Sequence, residues 1–210
     1  MVGTILPMVY GNTHRTKYTR KPSVLVLYVI GCLTGSIATG LSLAMLGLLT
    51  QAFVPVSGGG YSIVLAIVGI LALVYGCHEF ELMRAPAPQL RWQVPEQWRS
   101  QFAPSVVGLF YGLGLGPGLF TAITSASFYV LVFWVIVQRN LIGGAAVFGV
   151  YGLGRVSLLV LMYARFNQNR ELFKFSRELH RWKPLVHILN GLALSVVSGA
   201  LIITAFIAFG

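Results

Sequence analysis

Apolar residues in this chain come in long uninterrupted blocks, not in alternating or one-sided patterns. Five blocks stand out, at about 24–54, 61–83, 103–137, 141–164 and 185–209. A helix needs roughly 20 mostly apolar residues to cross the hydrocarbon core of a bilayer. Four blocks exceed that length, and the second reaches it only with the amphipathic tail that runs on from Gly76 to Met83. The pattern predicts an all-α, polytopic transmembrane helix bundle of five full spans, forming a single domain over residues 1–210. Ahead of the first block, the stretch MVGTILPMVYG is apolar but too short to span. It lacks the basic start and small-residue cleavage site of a signal peptide. It reads either as an interfacial stub or as the inner half of a truncated first helix. The second reading gives six crossings with both ends outside.

Composition agrees with the blocks. The chain is 56% hydrophobic and only 10% charged, where a water-soluble domain carries about a quarter charged residues. The net charge is +10, from 15 Lys and Arg against 5 acids, all of them Glu. Such a balance suits nucleic acid or anionic lipid, and the placement of the charges decides between them. Arg15, Lys17, Arg20 and Lys21 precede the first block, and Arg84, Arg91 and Arg99 follow the second. Arg165, Arg170, Lys174, Arg177, Arg181 and Lys183 lie between the fourth and fifth. The first-to-second connection carries no charge, and the third-to-fourth carries only Arg139. Basic and basic-poor connections alternate, which is how multi-pass proteins are oriented. The expected location is the cell membrane, with the basic loops cytoplasmic and the C-terminus outside. This holds if block 103–137 crosses once. The expected partners are the lipid bilayer and another membrane or periplasmic protein, with no nucleic acid.

Small residues recur at helical spacing. Gly108, Gly112 and Gly116 fall four apart, and Gly114, Gly118, Ala122 and Ala126 make a second stripe. Gly31, Gly35, Ser36 and Gly40 mark the first block, and Gly191, Ser195 and Gly199 mark the last. In lipid such stripes let backbones approach closely, and that packing drives helix association.

Two features carry candidate chemistry. The run GLGLGPG places Pro117 among Gly114, Gly116 and Gly118. Proline lacks an amide hydrogen and clashes with the preceding turn, so the helix should kink or break there. A break at membrane depth frees backbone groups that protein or a watery cavity must satisfy, and broken helices often line transport sites. The alternative is a simple kink packed against neighbours. Arg155 lies ten residues before Arg165, roughly 15 Å from the inner boundary at 1.5 Å per residue. A cation there needs a partner. It serves an anion, carboxylate or gating contact, makes a structural bond to carbonyls freed by the break, or snorkels to the interface with the help of helix tilt. His78, Glu79 and Glu81 cluster at the inner end of the second block, where a proton or cation could reach them, and His187 opens the last block. An ordinary polar boundary is the simpler reading of the first group, and an interfacial position that of His187. Trp92, Trp98 and Trp182 suit interfacial anchoring. The stretch NQNRELFKFSRELHRWK suits a basic amphipathic helix on anionic lipid.

Cys32 and Cys77 are too few for a disulfide framework and read as buried small hydrophobes. No Cys/His metal spacing, Walker loop, HExxH, GxSxG or paired intramembrane acids are legible, so neither a cofactor nor an enzyme of those classes is expected.

These motifs resemble the cytochrome c biogenesis CcdA/DsbD transmembrane-domain family and its MauF-like relatives. There, two inverted three-helix halves each open with a Pro-broken helix. Leu113-Gly114-Leu115-Gly116-Pro117 is similar to the second-half motif, and Gly3-Thr4-Ile5-Leu6-Pro7 to the first. Ala146–Gly154, AVFGVYGLG, is similar to the fifth helix of the family. The resemblance implies helix breaks at Pro7 and Pro117. It also puts Thr4 and Gly114 where the family has its electron-relaying cysteines, so the scaffold would be kept without thiol exchange. Arg155 is not part of the family pattern. Three functions follow as expectations. One is a non-redox component in maturation or export of periplasmic redox or cofactor proteins. Another is a small-solute transporter using the Pro117 break and Arg155. The last is a thiol–disulfide carrier through Cys32 and Cys77.

Overall fold

The computed structural model describes residues 22–53, 59–83, 85, 102–116, 127–165 and 182–208. Among them are the helices α1 (Pro22–Phe53), α2 (Gly59–Glu79), α3 (Pro104–Leu115), α4 (Ser127–Gln138), α5 (Leu141–Arg165) and α6 (Lys183–Ile207), with no strand. Pro22–Thr50, Gly60–Glu79, Leu141–Arg165 and Pro184–Ile207 are each long and apolar enough to cross a membrane. α3 and α4 are shorter apolar helices of 12 residues each. The side chains are sorted for lipid. Ile142 is 82% exposed and Phe206 76%, while Ser36, Ser62, Glu79 and Ser198 are buried. A surface this apolar is costly in water and fits hydrocarbon. The chain is a polytopic α-helical membrane protein.

Local chemistry sets the helix ends. α3 and α6 carry proline in their first turn, where the missing amide hydrogen costs nothing. The Asn140 side chain accepts from the Gly143 amide at 3.0 Å and caps α5. Arg139, in the left-handed region at φ 51°, turns the chain between α4 and α5. α2 ends differently from the sequence expectation. The tail to Met83 is not helical, because Glu81 takes a left-handed φ of 60°. The Leu82 amide then bonds the Cys77 carbonyl and the Glu81 amide the His78 carbonyl, both at 3.0 Å. This is a Schellman closure with glutamate in the position usually held by glycine. In the third block two helices are described. It holds α3, which ends at Leu115, and α4, which starts at Ser127. Residues 117–126 lie outside the described residues, as do 1–21 and 166–181, and with them Pro7, Thr4, Pro117, Gly118 and the proposed amphipathic loop helix.

The chain divides into two compact units. The first takes residues 1–39, 90–122 and 148–180, and the second takes 40–89, 123–147 and 181–210. In the first unit, α3 lies against the N-terminal part of α1 at backbone distance. A Cβ built on Gly108 would fall 2.9 Å from the Val24 carbonyl oxygen, and one on Gly116 would fall 2.6 Å from both the Cys32 oxygen and the Ser36 nitrogen. A Cβ on Gly112 would collide with the Tyr28 carbonyl oxygen, and one on Gly31 with that of Leu109. The stripe Gly108, Gly112, Gly116 is therefore the packing face of α3, as its spacing suggested.

In the second unit, α2 pairs with α6. Leu65 and Val68 pack with Leu201 and Ala205, and Ala72 packs with Leu194 and Val130. The Ser198 hydroxyl donates to the Gly69 carbonyl at 2.7 Å across the pair. The stripe Gly191, Ser195, Gly199 is only partly the contact face. Gly191 meets the Phe80 ring, but a Cβ on Gly199 would meet nothing within 4 Å. The buried seam instead runs through Gly191, Leu194, Ser198, Leu201 and Ala205.

Candidate functional site

The end of α3 is the polar centre of the first unit. A helix leaves its last four carbonyls without intrahelical donors. The Gly116 amide still reaches back to the Gly112 oxygen at 2.9 Å, so the helix stays regular up to the residue before Pro117. Beyond it, side chains from two other helices supply donors. Arg155 of α5 donates from Nη1 to the Leu115 carbonyl at 2.5 Å. Ser36 of α1 donates from Oγ to the Gly116 carbonyl at 3.3 Å. The Arg155 guanidinium also lies over the Tyr151 ring, 5.2 Å from its centroid. Tyr28 and Cys32 are within its electrostatic reach.

The arrangement follows from helical spacing. Tyr151 and Arg155 are four apart on α5, hence on one face. A Cβ on Gly152 would lie 2.5 Å from Ser36 Oγ, so α5 approaches α1 closely at this level. The carbonyl end of a helix carries partial negative charge, and a guanidinium placed there is favourable. Arg155 thus acts as a cap on α3. Of the sequence-derived candidates, the structure brings Arg155 together with the Gly116 end of α3, and Gly114 is buried nearby on the same helix.

The cysteines are free thiols. Cys32 is fully buried, its Sγ 4.0 Å from the Gly152 carbonyl oxygen. Cys77 is half-buried in α2.

The second unit holds a cluster that sequence reasoning located only in part. Glu79, the last residue of α2, is 5% exposed. It pairs with His187 Nδ1 and accepts from Asn190 Nδ2 at 2.8 Å. The sequence pointed to His78, Glu79 and Glu81 as one group and set His187 apart. In the structure, His78 Nδ1 contacts the Met83 carbonyl and the Ala85 amide, each at 3.1 Å, and Glu81 is exposed. Asn190 was not singled out. Its spacing three residues after His187, beside the Gly191 end of the α6 seam, is the signal that could have found it. Among the described residues, no group of three or more His, Cys, Asp or Glu is gathered as a metal site.

A bundle of helices long and apolar enough to cross a membrane, with an arginine at a helix end, defines a class, multi-pass membrane proteins, without a reaction. Comparison with known proteins narrows it. The chain is similar to proteins named Methylamine utilization protein MauF. It is 28% identical over 188 residues to that of Methylophilus methylotrophus, covering 88% of this chain and 62% of the relative. It is 31% identical over 128 residues to that of Methylobacillus flagellatus, covering 61% and 44%. It is 33% identical over 118 residues to that of Paracoccus denitrificans, covering 55% and 43%. The chain thus spans about half the length of the curated relatives it matches. No family model and no solved structure matches it.

Proposed function

We propose that this chain is a non-redox membrane component in the maturation or export of a periplasmic redox or cofactor protein, in a system of the methylamine-utilization kind. The observation that carries the reading is the similarity to a methylamine utilization protein over 88% of this chain. Two features support its non-redox character. Gly114 and Thr4 stand where the resembling CcdA/DsbD proteins carry relay cysteines. The thiol of Cys32 is sealed inside the first unit. In this reading α3 and its Arg155 cap form a rigid scaffold, and the client docks on the membrane-exposed or periplasmic side.

The test is genetic. The gene is deleted in its own host, and the periplasmic redox and cofactor proteins are quantified by proteomics and cofactor staining. Loss of one or a few of them is expected, with restoration by the wild type and by the Cys32→Ala/Cys77→Ala double variant. Failure of the double variant, expressed at normal level, would transfer the role to a thiol carrier. An unchanged periplasm with lost uptake of a small solute would transfer it to transport through the Pro117 break.

A further inference from the structure

The seam between α2 and α6 is fastened unevenly along its length. Where α2 ends, Glu79 meets His187 and accepts from Asn190, and Phe80 seats its ring on Gly191. In mid-helix the Ser198 hydroxyl donates to the Gly69 carbonyl at 2.7 Å. From Gly69 back toward the start of α2 the described contacts are apolar. Leu65 and Val68 pack on Leu201 and Ala205, with Trp134 and Val137 of α4 against them. Polar bonds thus hold one half of the seam, and van der Waals contact holds the other.

The apolar half also contains a hydroxyl. Ser62, the fourth residue of α2, is 0% exposed. Among the described residues, its Oγ is the one buried side-chain polar atom that meets no hydrogen-bond partner. The hydroxyls of α6 behave differently. Ser195 and Thr204 donate to the carbonyls four residues before them, Gly191 at 2.9 Å and Ala200 at 2.7 Å. A buried hydroxyl without a partner has lost its water and gained nothing in exchange. The closed packing of α2 on α6 is therefore least favourable at the Ser62 end.

We propose that this seam opens at one end: α2 and α6 part between Ser62 and Val68, with the Ser198–Gly69 bond as the pivot, and then reclose. Lipid tails are as apolar as the leucines they would replace, so parting sacrifices packing but no hydrophobic drive. It also relieves the Ser62 hydroxyl. That residue lies three positions into α2, about 4.5 Å along the axis at 1.5 Å per residue, so the opened end can bring it to water at the membrane surface. Parting the other half would break the bonds to the Ser198 hydroxyl and to the Glu79 carboxylate, so the movement stays local. Local openings of this kind lie below global unfolding in free energy. The opened end presents a hydroxyl beside an apolar cleft lined by Leu65, Val68, Leu201 and Ala205. The inference is independent of the maturation role.

The experiment uses the full chain purified in detergent, in the Cys32→Ala/Cys77→Ala background. Two buried alanines of the seam become reporters, one per protein. Ala205→Cys lies in the half that opens and Ala72→Cys in the half that is held; the native alanines are 2% and 0% exposed. Maleimide labelling rates are normalised to those of the unfolded chain. Cysteine at 205 is expected to react severalfold faster than cysteine at 72. Ser62→Ala removes the unmet hydroxyl. It should raise Tm by a few degrees and slow labelling at 205 severalfold, with labelling at 72 unchanged. Equal rates at the two reporters, equal slowing of both by Ser62→Ala, or no slowing at 205 would overturn the proposal. So would a Tm that Ser62→Ala leaves unchanged or lowers. Should an alanine reporter fail to fold, Leu201→Cys and Leu194→Cys on α6 replace the pair and are read by the same criteria.

Discussion

A methyl group added at Gly112 would collide with the Tyr28 carbonyl oxygen and fall 2.7 Å from the Cys32 amide nitrogen. Both atoms belong to the backbone of α1 and cannot rotate away, so α3 must move. Gly112→Ala is expected to destabilise the protein by about 1–3 kcal/mol, the usual cost of overpacking, as read by unfolding in mixed detergent. Gly154→Ala is the matched control, because nothing lies within 4 Å of its added carbon. There the better helix propensity of alanine should leave stability unchanged or raise it by up to about 1 kcal/mol. Equal losses at the two sites would contradict the close contact of α3 with α1. Arg155 is tested in the same assay. Arg155→Leu removes the donor that serves the Leu115 carbonyl, and a loss of about 1.5–3 kcal/mol is expected, the range of a charge-assisted hydrogen bond. Arg155→Lys should recover part of it. A stable leucine variant with unchanged unfolding would mean that the cap contributes nothing.

At the scale of elements, the closure of α2 makes a separate prediction. Glu81 holds a left-handed φ that favours glycine. Glu81→Gly should stabilise the protein by about 0.5–1 kcal/mol, since relief of that backbone strain outweighs the added freedom of the unfolded chain. A destabilised variant would show that the Glu81 side chain makes a contact worth more than the strain. This helix end also marks where sequence reading stops. The apolar blocks gave α1, α5 and α6 to within about two residues, because length and apolarity suffice to define a membrane helix. They did not give the end of α2, because no glycine announces the left-handed residue. The spacing of Gly108, Gly112 and Gly116 gave the packing face of α3. The stripe in α6 gave its face only in part, since Gly191 and Ser195 lie against α2 while Gly199 meets open space. Arg155 was legible as a charge needing a partner, and the partner the structure gives it is the Leu115 carbonyl at the end of α3. The Glu79–His187–Asn190 cluster was legible only as scattered polar residues. Its members are 108 and 111 positions apart, and nothing local in a sequence reports such pairing.

For the whole molecule, the account rests on spans that each cross once and on basic connections that share the cytoplasmic side. Among the described residues, four helices are long and apolar enough to cross, and the sidedness is a proposal drawn from the alternation of charge. The most direct test places single cysteines in the Cys32→Ala/Cys77→Ala chain and labels intact cells with a membrane-impermeant maleimide. Ser57 lies in the uncharged connection, Ser100 in the first basic loop and Ser176 in the second. Cysteine at position 57 should be labelled from outside, and cysteines at 100 and 176 only after the membrane is opened. Labelling of 100 and 176 from opposite sides would mean that the segment between them crosses an odd number of times, and the topology proposed here would be wrong.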